Sequence, residues 1–155
     1  MQEQERQGRI DLAAAFRWAV RNDYHESIAN HFTLAVNDDG TEFLTNPFGM
    51  HWAEIKASDL IRIDIDGNVL SGEGEPERTA VCIHGPIHRK LPHARCVLHA
   101  HPRHCTALTT IVGGQLIPLC QKAARFYGDL AYDDQFNRIV TDFEEGERIA
   151  STLGN

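Results

Sequence analysis

The sequence has no long apolar run. Nothing in it approaches the ~20 residues a membrane-spanning helix needs, and its first ten residues are polar and charged, without the apolar core of a signal peptide. The expectation is a cytoplasmic chain with no membrane partner. Positive charge is scarce as well: 15 Lys and Arg against 22 Asp and Glu leave a net charge of −7 with histidine neutral. An acidic domain lacks the electrostatic footprint that a phosphate backbone demands, which disfavours nucleic acid as a partner. There is no CxxC pair, no internal repeat, no low-complexity tract and no linker. The four cysteines (Cys82, Cys96, Cys105 and Cys120) have no secreted-scaffold spacing, and the expectation is four reduced, buried thiols acting as small hydrophobes.

What is present is an ordinary globular composition. The chain has 155 residues, 42% hydrophobic and 24% charged, which suits one domain over 1–155 with a sizeable core. Residues 3–21 carry helical spacing through Ile10, Ala13, Ala14, Arg17, Trp18 and Arg21, with Leu12, Phe16, Ala19 and Val20 widening the apolar face. His31–Val36 and Thr41–Thr45 read as strands around an Asn37–Gly40 turn, and Leu60–Ile65 and Asn68–Leu70 around Asp66-Gly67, so two antiparallel hairpins are expected. Residues 77–90 read as a helix with Val81, His84, Ile87, His88 and Leu91 on one side, in spite of Pro86. A strand over Arg95–His101, a helix of about ten residues opened by Pro102, a strand at Ile117–Leu119 and a helix over Phe143–Leu153 complete the reading. Strands and helices mixed in this way give an α/β or α+β class.

Histidine is the over-represented residue. There are nine, and six of them (His84, His88, His93, His99, His101 and His104) fall between positions 84 and 104. On a strand, residues i and i+2 share a face, so His99 and His101 project together just before a helix start. Two neutral imidazoles aimed at one point are half of a tetrahedral metal site. The same spacing also suits a polar strand end with solvated histidines, and the motif alone leaves both open. His84, on the inner face of its helix, suits a hydrogen-bonded core position. His88 and His93 stand near a helix end and a loop, where polar residues are ordinary, and His104 is turned away from the pair by helical geometry.

Several blocks in order carry a resemblance. Asn46-Pro47-Phe48-Gly49, Glu54-Ile55-Lys56-Ala57-Ser58-Asp59-Leu60, Ile63-Asp64-Ile65-Asp66-Gly67, Ile83-His84-Gly85-Pro86-Ile87-His88, and the run from Pro92 to His101 resemble the class II aldolase/adducin domain, over roughly residues 8–153. The first two blocks bring the chain closer to the adducin-like branch than to the sugar-phosphate aldolases. The resemblance implies a three-layer α/β/α sandwich around a central, largely antiparallel sheet, assembled as a homotetramer. It also implies a divalent metal, most often zinc, held by His99, His101 and a third histidine. That metal acts as a Lewis acid on small hydroxy-carbonyl compounds, often phosphorylated. The turn Ser27–Asn30 and the loop at Thr45, Asn46 and Gly49 correspond to phosphate-contacting stretches, in which Asn30, Thr45, Asn46 and Gly49 are the candidate anion ligands.

Two departures accompany it. Family aldolases carry an acid/base glutamate 19 positions before the first metal histidine, and here that position is Ala80. Glu77 is the nearest alternative, with Glu73 and Glu75 in the loop before it. The third histidine normally lies in an Asn-His-Gly stretch after a helix like the one ending near Leu153, so it is expected beyond Asn155, the domain lacking its C-terminal part in 1–155. His25, His31 and His51 are the replacements within the chain. The leading expectation is a metal-dependent, lyase-type enzyme on a small-molecule substrate. The alternatives are a non-catalytic adducin-like binding or assembly domain, or another metal chemistry on the same scaffold, such as a decarboxylase or an iron oxygenase.

Overall fold

A computed structural model describes residues 3–135 and 137–154. The elements in chain order are α1 (Glu3–Arg21), β1 (His31–Ala35), β2 (Glu42–Thr45), β3 (Ile61–Asp64), β4 (Val69–Ser71), α2 (Arg78–Lys90), β5 (Cys96–His99), α3 (Arg103–Thr109), α4 (Gln121–Ala124) and α5 (Phe143–Leu153). The five strands form one sheet in the order β4-β3-β2-β1-β5, antiparallel at each pairing. Strand alternation then sorts the core into two faces. Phe32 and Leu44 point to one side and pack with Leu12, Phe16 and Ala19 of α1 and with Trp52, Ile55 and Leu60. Phe43, Ile61 and Ile63 point to the other and meet Val81 of α2 and Phe143. Lower on that second face, Ile87 and Leu91 pack with Ala150 of α5 and with Val97. The result is a three-layer α/β fold, with α1 on one side of an antiparallel sheet and α2 with α5 on the other.

Both hairpins form where the turn residues placed them, and α1 and α5 have the expected bounds. α5 starts because the Asp142 side chain accepts a hydrogen bond from the Glu145 amide at 2.9 Å, and it stops at Gly154 with φ +77°. α2 passes through Pro86 without breaking. Proline removes the donor that would serve the Cys82 carbonyl, and α5 closes over that carbonyl at Gly146, where an added Cβ would stand 1.8 Å from the Cys82 oxygen. Gly146→Ala is therefore expected to push α5 away from α2 and lower stability by about 1–3 kcal/mol through overpacking. Urea unfolding of the variant checks this; an unchanged midpoint would show that α5 yields freely.

Four expectations are corrected. The buried stripe of α1 is Gly8, Arg9, Leu12, Ala13, Phe16 and Ala19, whereas Trp18 is 59% exposed. The pattern through Ile10, Arg17 and Trp18 marks the outer edge of the apolar face. No strand forms at Ile117–Leu119, where Pro118 has no N–H for a ladder and the Leu119 amide instead donates to the Ile117 carbonyl at 2.8 Å. α3 stops after seven residues, since the β-branched run Thr109-Thr110-Ile111-Val112 favours helix weakly. The Thr109 and Thr110 hydroxyls also turn back onto the carbonyls of Thr106 and Ala107. Of the cysteines only Cys82 is buried, and all four are free thiols. Cys96 lies opposite Leu34 on the α1 face of the sheet, but on the edge strand β5, where it is exposed, and Cys105 and Cys120 lie in the thinly covered 103–120 region.

Candidate functional site

β5 ends at His99, and the chain stays extended enough for His101 to return to the same side. Their Nε2 atoms stand 2.9 Å apart with the rings at 77°. Tetrahedral ligands at about 2.0–2.1 Å from one ion lie roughly 3.3 Å from each other, so this pair is already drawn close to a ligand separation. Glu26 sits behind His101, its Oε2 accepting a hydrogen bond from Nδ1. A carboxylate there fixes the tautomer, leaving Nε2 as the lone-pair nitrogen, which is the usual support for a metal-ligating imidazole. Glu26 is held by a tight turn in which the Asn30 Oδ1 accepts its backbone N–H at 2.7 Å and Ser27 takes φ +53°. Among the described residues, no group of three His, Cys, Asp or Glu side chains converges as a metal set.

The sheet register places more histidines behind this pair. His31 opposes His99 across β1 and β5, and their rings stack with centroids 4.7 Å apart and 13° between planes. The His31 Nδ1 lies 3.0 Å from the His84 Nε2, and the Thr33 Oγ1 lies 2.8 Å from the His84 Nδ1 and 2.7 Å from the His88 Nε2. The His88 Nδ1 reaches the Ala94 carbonyl at 3.0 Å. His31, Thr33, His84 and His88 are all buried. His84 thus takes the hydrogen-bonded core position expected of it, while His88 is no surface residue near a helix end but a buried member of the row.

Burial sets the charge of these rings. It pushes His31 down to about 3, helped by the charges of His99 and His101, and drives His84 well below the ordinary imidazole range. His88 falls to about 4, chiefly by burial, which outweighs the opposing hydrogen bond to Ala94. His99 also falls to about 4, by burial and then by His101. Neutral imidazole is the metal-binding form.

Glu77 stands at the residue before α2, where its side chain makes no capping hydrogen bond and reaches the same region instead. Its Oε1 accepts from the Thr79 hydroxyl at 2.7 Å, and that hydroxyl lies 3.2 Å from the His31 Nε2. Its other oxygen, Oε2, is buried without a partner among the described residues. Ala80, one helical turn further in, is buried in the core and carries no acid. The loop before Glu77 is tied to the Asn46–Gly49 loop by a hydrogen bond from the Phe48 amide to the Glu75 carbonyl at 2.8 Å, and Gly74 with φ +111° lets Pro47 approach.

The four candidate anion ligands divide. Asn30 and Asn46 are buried, and the Asn30 Nδ2 and the Asn46 Oδ1 have no partner among the described residues. Thr45 is buried with its hydroxyl donated to the Phe32 carbonyl at 3.2 Å. Gly49 turns with φ +85° in open space. His25 and His51 pair edge to face with centroids 5.0 Å apart, and His93 and His104 are exposed. A separate groove of about 750 Å³ between α1 and the β3–β4 edge, lined by Arg6, Arg9 and Arg62, holds none of these histidines. Sequence reasoning missed Glu26, Thr33 and Thr79. Two local signals could have found part of the row: His31-x-Thr33 at strand spacing, and His84 and His88 four apart on one helix face.

Residues 10–155 match the model of the class II aldolase and adducin N-terminal domain. The chain belongs to that family. It is 33% identical to an aldolase II superfamily protein of Pseudomonas syringae, superposing with a TM-score of 0.92 over 100% of this chain and 62% of that one. It is 27% identical to an L-fuculose 1-phosphate aldolase of Glaciozyma antarctica, with a TM-score of 0.82 over 94% of this chain and 56% of that one. An adducin-related protein of Schizosaccharomyces pombe is 34% identical over 95% of this chain and 47% of its own length. The chain therefore spans about half to three-fifths of the length of these relatives. No helix among its described residues is long and apolar enough to cross a membrane.

Proposed function

We propose that this chain carries the metal-binding half of a class II aldolase-type site and that the protein is a lyase acting on a small hydroxy-carbonyl compound, phosphorylated as the name of the L-fuculose 1-phosphate aldolase of Glaciozyma antarctica indicates for that protein. The observation that carries this reading is the convergence of the His99 and His101 Nε2 atoms with the Glu26 carboxylate behind His101. Zinc suits the imidazole donors best. This reading calls for a third ligand, which no convergent set among the described residues supplies, and takes the working assembly to be a homotetramer in the cytoplasm. A divalent cation held there would polarise the substrate carbonyl. Glu77 takes the acid/base role that Ala80 vacates, supported by its unpartnered buried oxygen and its link through Thr79 to the ring stacked on His99. Asn30 and Asn46 offer an amide donor and an amide acceptor for substrate oxygens, with Thr45 shaping the strand end and Gly49 the loop.

Ala80 favours a second reading, a non-catalytic adducin-like assembly domain. The two separate by experiment. Zinc titration of the chain followed by calorimetry is expected to show binding that His101→Ala abolishes and that Glu26→Gln weakens by about 10–100-fold. Binding indifferent to both substitutions would overturn the metal site. In the metal-loaded protein, Glu77→Gln is expected to lower retro-aldol turnover by about 10²–10⁴-fold. An intact metal site with no turnover across a panel of hydroxy-carbonyl phosphates would leave the assembly reading.

A further inference from the structure

The buried histidine row has a direction that can be deduced atom by atom. The Ala94 carbonyl can only accept, so the His88 nitrogen facing it at 3.0 Å, Nδ1, carries the proton. A neutral ring protonated at Nδ1 has its lone pair on Nε2, and the Thr33 hydroxyl 2.7 Å away must donate to it. That commits the only proton of the hydroxyl. Thr33 can then only accept from the His84 Nδ1 at 2.8 Å, so His84 is protonated at Nδ1 too. Its Nε2 is bare and takes the proton of the His31 Nδ1 at 3.0 Å. Three rings and one hydroxyl thus inherit their orientation from a single backbone carbonyl.

We propose that His88, Thr33, His84 and His31 form one hydrogen-bonded row of fixed polarity that holds all three imidazoles as Nδ1–H tautomers and makes His31 a positioning residue for the His99 ring stacked on it. At the far end of the row that polarity has a consequence. His31 reaches Thr79 with a bare Nε2 at 3.2 Å, and the same hydroxyl lies 2.7 Å from the Glu77 Oε1. One proton faces two acceptors there, so Thr79 serves Glu77 or His31 and not both. With the opposite polarity His31 would donate to Thr79 and Thr79 to the Glu77 Oε1, so that both the ring nitrogen and the hydroxyl would be satisfied. The Ala94 carbonyl forbids this. The row therefore delivers a neutral, oriented ring face to His99 (rings 13° from parallel) and leaves its one unmet acceptor beside Glu77. Thr33 is the hinge of the arrangement, because only a hydroxyl can donate to one ring while accepting from the other.

That His99 is the group being positioned rests on the metal reading above; the tautomer pattern does not, so the two can fail separately. The test uses the chain with ¹⁵N-labelled histidine, in chelator, at neutral pH. Long-range ¹H–¹⁵N spectra distinguish a protonated ring nitrogen from a bare one, and the rings are assigned by their contacts to the Thr33 methyl and to each other. Three rings with protonated Nδ1 and bare Nε2 are expected, and any of His31, His84 or His88 protonated instead at Nε2 overturns the proposal. Thr33→Ser is expected to preserve the pattern, and Thr33→Val to release His84 and His31 from it. A folded Thr33→Val protein with all three tautomers unchanged would show that the row does not set them. Thr79→Val, at the partly exposed end, is expected to leave all three unchanged; a flip there would place the origin of the polarity at Glu77 and overturn the direction deduced from Ala94.

Discussion

Lowering the pH from about 7 to about 5 is expected to remove at least about 4 kcal/mol of folding stability, and the buried imidazoles are the reason. His88 is held at about 4 and His31 at about 3 in the folded chain, against 6.5 in an unfolded one. Below 6.5 the unfolded state binds protons that the folded state refuses. Stability then rises with pH, because the unfolded state is the one binding more protons. The contribution is complete above about 6.5, is lost progressively as the pH falls, and levels off only below the folded values. At about pH 5 each ring contributes a loss of about 2 kcal/mol. His84, fully enclosed and driven in the same direction, adds to it. Against a total of about 5–15 kcal/mol for a typical domain, this is a large fraction. The carboxylates held low by Arg148, Asp133 and Glu145, protonate below the usual carboxylate range and so do not account for a change between 7 and 5. Urea unfolding at several pH values in that window checks the expectation, and a stability independent of pH there would mean that the row admits water or protons in the folded chain.

How much of this was legible in the sequence follows from the range of the interactions involved. The hairpins were legible because Asn37–Gly40 and Asp66-Gly67 act over a few residues. α5 was legible because Gly154 ends it, and His99 and His101 because a strand repeats every second residue. α1 was legible in extent but not in face. Its central run of alanines around Phe16 gives a broad apolar arc, and only the sheet determines that Phe16 turns inward while Trp18 turns out. The site fared likewise. Glu26 lies 75 positions from His101 and meets it only because β1 and β5 are neighbours in the sheet. The same neighbourhood stacks His31 on His99. A helix end is ordinarily a place for a solvated histidine, and His88 is buried instead because α5 packs α2 onto the sheet and Thr33 and Ala94 supply both partners its ring requires. Family resemblance located the blocks, but the row between them comes from strand order, which no local pattern encodes.

The second large effect is expected on the opposite face of the sheet. Phe16 has no exposed surface, stacks on Phe32 with centroids 4.9 Å apart, and meets the edge of Trp52 at 4.8 Å. Trp52 in turn lies 4.5 Å from Phe32. Three aromatic rings thus join α1, β1 and the loop after Gly49. Phe16→Ala deletes the central one, and the neighbours cannot collapse into the gap without moving either β1 or that loop. A truncation of this kind costs about 3–5 kcal/mol, which for a chain of this size corresponds to a fall of roughly 6–20 °C in Tm. Phe16→Leu, which keeps most of the volume, is expected to cost less, because the larger share of the loss is the cavity. Trp18→Ala, only two residues away but on the exposed side, is expected to change stability by no more than about 0.5 kcal/mol. The three variants together test the facing of α1. A Trp18→Ala loss equal to that of Phe16→Ala would mean that the helix is rotated and the stripe through Ile10 and Trp18 is the buried one. With the facing as described, Phe16→Ala should also raise amide exchange at Phe32 and its neighbours in β1. The strand that carries His31 and Thr33 to the site is held from behind by this aromatic group, so loosening it should reach the histidines through the sheet.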